Sequence, residues 1–190
     1  MQQICSEARI TLPSWMEEEI GGTDLLATDE ERMELVVRLA RQNVLRGTGG
    51  PFGAAVFAEG GRLVAVGVNS VERLHNSSLH AEVVALTLAE VRVRSFTLRA
   101  PGLPGHMVVS SCEPCAMCLG AVLWSGAGRL VCGAQQSDAT AVGFDEGPVF
   151  PESYRYLEER GVAVVRGVLR AEARAVLELY RERGGLVYNR

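Results

Sequence analysis

Between Thr28 and Arg46 the apolar positions Met33, Val36, Val37, Ala40 and Val44 fall three or four apart. That is the repeat of one buried helix face, and Thr28 followed by Glu31 supplies a capping box at its start. The run 47–51, rich in glycine and ending in Pro51, breaks the helix. Residues 52–58 and 62–68, split by Glu59-Gly60-Gly61, predict a β-hairpin. Asn76, Ser77 or Ser78 is expected to cap a second helix, which carries His80 and Glu82 in its first turn and continues through Val83, Leu86 and Leu88 to about Val93. A strand at 106–111 leads into a helix from the cysteine pair to Ser125, then a buried strand at 129–134. A short helix at 154–160, a strand at 162–165 and a helix from 171 to about 183 follow. Residues 1–27 lack any such period and close on Gly21-Gly22-Thr23-Asp24, so they are expected as an N-terminal arm, mobile or docked on the surface. Strands alternating with helices after an opening hairpin predict an α/β chain with a mixed sheet covered on both faces.

Composition narrows the class. At 190 residues and 47% hydrophobic the chain can bury one good core, so a single main domain is expected. Its five cysteines are odd in number and irregularly spaced, which speaks against a disulfide framework and for a reducing, cytoplasmic setting. Residues 1–13 include Glu7 and Arg9 and lack the apolar run of a signal peptide; nothing approaches the ~18 apolar residues of a membrane span. The net charge is −4, and every basic side chain is arginine. Arg170, Arg174, Arg181 and Arg183 interleave with Glu172, Glu178 and Glu182 as a solvated helix face does. The balance favours a small-molecule partner over nucleic acid or membrane.

Two short strings carry chemistry: His80-Ala81-Glu82 and Pro114-Cys115-Ala116-Met117-Cys118. Zinc takes four tetrahedral ligands from imidazole and thiolate, and a catalytic zinc draws three from the protein and leaves one vertex to water. His80, Cys115 and Cys118 make three. Cysteines three apart on a first helical turn share one face, and the helix N-terminus favours their thiolates. Glu82 stands close enough to His80 to reach a water beside the metal, the position of a proton carrier. The order H-x-E then P-C-x-x-C is the signature of zinc nucleobase deaminases, in which the glutamate moves protons and does not ligate. Two other readings stay open: a packed or redox-active thiol pair, which leaves His80 and Glu82 without a role, and a closed structural zinc, for which Cys112 is the one nearby fourth ligand.

Together with the string Ser111 to Cys118, the segment Gly120 to Trp124 and the loop Gly143-Phe144-Asp145-Glu146-Gly147-Pro148, these residues resemble the cytidine deaminase superfamily, and within it the bacterial guanine deaminase branch. The likeness runs from about Arg32 to the C-terminus; the zinc strings mark the superfamily, while Trp124, the Phe144–Glu146 loop and the ending Tyr188-Asn189-Arg190 mark the branch. It implies a three-layer α/β/α sandwich with a five-stranded mixed sheet over residues 28–190, one zinc ion per chain, and a homodimer. It also implies hydrolytic deamination of a free nucleobase, guanine to xanthine, with an aminotriazine such as ammeline or cytosine as alternative substrates. A transfer-RNA adenosine deaminase and a non-catalytic zinc module are the other classes. By position, Glu82 and Glu146 would be catalytic, with Asn69, Phe52, Ala81, Trp124 and Tyr188 on the substrate side. Residues 184–190 would close over the site. From the residues alone Asn69 serves equally as a turn former, Phe52 and Trp124 as core aromatics, Glu146 as a solvated carboxylate and Tyr188 as a frayed end.

Overall fold

The structure, a computed structural model, describes residues 5–188; Asn189 and Arg190 of the expected closing segment, and the first four residues of the arm, lie outside the described residues. Five strands, β1 (Gly53–Ala58), β2 (Leu63–Val68), β3 (His106–Cys112), β4 (Arg129–Ala134) and β5 (Ala163–Val165), form one sheet in the order β2-β1-β3-β4-β5. The β1 strand pairs antiparallel with β2 and β3, while β3–β4 and β4–β5 are parallel, so the sheet is mixed as expected. Alternation along the strands divides the core. Ala55, Phe57, Val109 and Val131 face α1 (Met16–Ile20), α2 (Asp29–Leu45) and α7 (Arg170–Glu182). Ala54, Val56, Val108 and Leu130 face α3 (Ala81–Val93), α4 (Ala116–Ser125) and α6 (Pro151–Glu159). The result is an α/β/α sandwich in which β1, paired on both edges, is buried at every position.

The Thr28–Glu31 capping box forms as the sequence indicates: Glu31 N donates to Thr28 Oγ1 at 3.2 Å and Thr28 N to Glu31 Oε2 at 3.0 Å. Two short helices, α1 and α5 (Gln136–Ala141), are additions. Each spans less than two turns, too short to display a period. The α1 turn docks the arm by burying Trp15 and Met16 against α2. The cap of α3 needs correction. Asn76 Oδ1 accepts from Ser78 N at 2.9 Å and closes a turn upstream, buried Leu79 intervenes, and His80 itself is the N-cap.

The α3 helix is seated on β2 by Gly67. A β-carbon there would overlap the carbonyl oxygen of Ala81 and lie 2.6 Å from Ala85 N, backbone atoms that cannot rotate away. Gly67→Ala is therefore expected to push α3 off the sheet, costing about 1–3 kcal/mol of stability. It should also lower zinc occupancy, because His80 moves with the helix. Thermal melts with metal analysis check this, and an unchanged melt with full zinc would refute the close-contact argument.

Candidate zinc and nucleobase site

The N-termini of α3 and α4 meet beside the C-terminal end of β3. Their N-cap residues are His80 and Cys115, and neither makes a side-chain cap hydrogen bond. Each cap position thus presents a metal-ligand side chain. Cys118 follows in the first turn of α4 and is wholly buried. The donor atoms of His80, Cys115 and Cys118 all lie within 4.8 Å of one another, and His80 Nδ1 stands 3.5 Å from Cys115 Sγ. Ligands on one tetrahedral zinc, at the usual Zn–N and Zn–S lengths, sit about 3.6 Å apart for a nitrogen–sulfur pair. One imidazole and two sulfurs at this spacing fit zinc. Among the described residues this is the one such group, and it has no fourth His, Cys, Asp or Glu. Cys112 belongs to the core cluster with α2, its sulfur 3.8 Å from the Gln135 carbonyl, which removes the closed structural site. A hydrogen bond from Cys118, against the opposing effect of burial, lowers the Cys115 thiol to about 4; the Cys118 thiol is raised, first by that same bond.

Glu82, in the first turn of α3, is buried beside the ligands. Ser110 Oγ donates to its Oε1 at 3.0 Å, and Cys118 Sγ lies 3.3 Å from Oε2. Desolvation raises its pKa, and the charge on Cys115 adds to that. Burial would lower the pKa of His80, but the Cys115 bond and the charges of Glu82, Cys115 and Glu146 outweigh it, so His80 is raised.

Phe52, His80, Glu82, Glu113, Cys115, Glu146 and Tyr188 line one small cleft. Glu146 is folded in by its loop, whose carbonyl accepts from Ala116 N at 2.9 Å, and burial pushes its carboxyl up to about 8. Phe52 packs edge-to-face on Phe144 at 5.0 Å while facing the cleft, so it serves both core and site. Tyr188 rests against His80 and Phe144, with ring centroids 6.0 and 5.5 Å away. Its hydroxyl accepts from Asn69 Nδ2 at 2.5 Å, so it is docked and does not fray.

Three expected substrate-side residues, Asn69, Ala81 and Trp124, do not line the cleft. Asn69 is wholly buried, its amide covered by Tyr188. Ala81 is wholly buried between α3 and the sheet. Trp124 is 80% exposed, neither packed in the core nor reaching the site. It shares an outward face of α4 with Met117, a face that apolar spacing alone could not distinguish from the buried one. Glu113 is an addition. This buried carboxylate accepts from Arg166 Nε at 2.6 Å and Gln136 N at 2.9 Å, tying the ligand loop to β5 and α5. Its only signal in sequence was a charge set inside a string of ligands.

Residues 26–134 match the model of the cytidine and deoxycytidylate deaminase zinc-binding region. The chain is 35% identical over 133 residues to the guanine deaminase of Bacillus subtilis (strain 168), covering 70% of this chain and 81% of that one. The structure of guanine deaminase from Nitrosomonas europaea aligns over 95% of this chain and 99% of that one, with a TM-score of 0.89 and 41% identity. That of NE0047 in complex with 2,6-diaminopurine aligns over 95% and 96%, with a TM-score of 0.89 and 43% identity. With more than half its length matched and the ligand set assembled, the chain belongs to the cytidine and deoxycytidylate deaminase family of zinc-binding proteins.

Proposed function

We propose that this chain, a zinc-dependent hydrolytic deaminase, converts free guanine and water to xanthine and ammonia. The observation that carries the reading is Glu82, a buried carboxylate held between Ser110 and Cys118 that opens on the same cleft as the ligands. His80, Cys115 and Cys118 would hold a zinc ion, which when bound would supply Lewis-acid activation of water, lowering its pKa toward ~7. Glu82 takes a proton from the attacking water on one carboxylate oxygen and delivers it to the ring nitrogen beside C2, which makes that carbon electrophilic. After oxygen bonds to C2, Glu82 or Glu146 passes the remaining hydroxyl proton to the 2-amino group, the C–N bond breaks as the C2 carbonyl forms, and ammonia leaves. Asn69 binds an acceptor on the base, Phe52 forms a wall, and Glu146 serves as second proton carrier or holds the purine edge. The Bacillus and Nitrosomonas relatives are guanine deaminases, and 2,6-diaminopurine, like guanine, carries a 2-amino group.

In the described conformation the cleft encloses about 10 Å³, roughly one water. A purine enters only when the segment ending in Tyr188 withdraws, and its return excludes water from the reaction. Met117 and Trp124, seven apart on α4, present an exposed apolar face suited to a second copy of the chain. Sedimentation of the zinc-loaded protein is expected to give two chains. The net charge of −4 argues against an RNA substrate, and the five free thiols suit the cytoplasm. No helix among the described residues is long and apolar enough to cross a membrane.

Ammonia release from zinc-loaded protein over purines, pyrimidines, their nucleosides and aminotriazines tests the assignment. Guanine is expected to give the highest kcat/KM. A higher value for ammeline or cytosine would move the substrate, and silence on every base would favour the non-catalytic module.

A further inference from the structure

We propose that Asn43 is a positioning residue for base recognition, its amide held between the carbonyls of Gly50 and Asn69 on one side and Thr48, bonded to Trp15 of the N-terminal arm, on the other. The inference rests on the reading of Asn69 as a contact to the base.

Asn43 is wholly buried on α2, and its Nδ2 donates to two carbonyls, Gly50 O and Asn69 O, each at 2.9 Å. Its Oδ1 accepts from Thr48 Oγ1 at 2.7 Å, and Thr48 Oγ1 accepts from Trp15 Nε1 at 3.1 Å. An indole N–H can only donate. It occupies one lone pair of the Thr48 oxygen, and the Thr48 hydrogen goes to Asn43, whose Oδ1 at 2.7 Å is a nearer acceptor than its carbonyl oxygen at 3.4 Å. The Asn43 NH2 is then left facing the two carbonyls. The opposite orientation would set Oδ1 against both, leaving buried acceptors unmatched.

The same logic extends one residue further. Asn69 Oδ1 accepts from Gly50 N and Val71 N, both at 3.4 Å, so its Nδ2 is left for the hydroxyl of Tyr188, which itself lines the cleft. Asn69 thus offers a donor, and the base must bring an acceptor: a ring nitrogen or carbonyl oxygen. Gly49 permits the close approach, since a β-carbon there would overlap Asn69 O and lie 2.8 Å from Asn43 Nδ2. A docked arm, a helix and the recognition loop are in this way linked by hydrogen bonds of one polarity.

Thr48→Val removes the hydroxyl at a half-buried position that touches neither metal ligand nor cleft. Guanine KM is expected to rise about tenfold with kcat within about twofold, since misplacing a recognition group weakens its hold on the base. Zinc content should be unchanged, and amide hydrogen exchange at Gly50, Asn69 and Val71 should quicken. Trp15→Phe, which keeps a ring but loses the N–H, should shift KM in the same direction, and Thr48→Ser should restore both readouts. Unaltered KM and exchange in Thr48→Val would overturn the inference, as would equal losses of zinc and kcat, which mark a merely structural role. Should the wild-type protein leave guanine untouched, the substrate assignment falls, while the exchange comparison still decides whether this chain of bonds orders the loop.

Discussion

Glu82→Gln is expected to hold one zinc per chain and to turn guanine over about a thousandfold more slowly, within the range of general acid–base catalysis. The amide replaces the carboxylate at nearly constant volume. Its oxygen still accepts from Ser110 Oγ, and its NH2 faces the Cys118 sulfur that now lies 3.3 Å from Oε2. What disappears is the ability to take a proton and release it at two points of one reaction. KM should change little, because Glu82 acts on the reacting atoms more than on the edge of the base. Metal analysis beside steady-state ammonia release reads this out, and turnover within tenfold of wild type would remove Glu82 from the mechanism.

Cys118→Ser acts on the other half of the site. A hydroxyl is a harder, less acidic donor than a thiol, so one of the two soft ligands is lost. Loss of groups that merely support a metal ligand already weakens affinity 10- to 100-fold, so removing the ligand should weaken zinc roughly a thousandfold or more. The variant should emerge from desalting without metal and without activity. Since metal binding contributes directly to folded-state stability, a chelator should lower the melting temperature of the wild type and leave that of Cys118→Ser unmoved. A variant that retains zinc through desalting would mean that Cys118 is not a ligand.

The candidate ligands and Glu82 were legible because zinc chemistry restricts both residue type and spacing, even though α3 begins at His80 and not at the expected cap. The strands were legible because β1 and β4 are largely continuous apolar runs and β3 has the apolar stretch 107–109, each bounded by polar or glycine-rich turns. Elements shorter than two turns were not, since α1 and α5 have no room for a repeat. Asn43 and Glu113 were also missed. Each acts through partners distant in the chain, Asn43 on Asn69 and Glu113 on Arg166, and local sequence carries no sign of such pairings. Trp124 misled in the opposite direction, because a helix that is apolar on every side hides which face the core takes.

Tyr188 occupies the Asn69 amide as part of the same molecule, only a few residues beyond the last helix. A tethered phenol of this kind competes at a local concentration on the order of millimolar, whatever the dilution of the protein. On the proposed role of Asn69, saturation curves are expected to convolve two quantities, the grip of the site on the base and the fraction of time the tail is away. Loosening the tail should sharpen apparent affinity without any new contact to the purine.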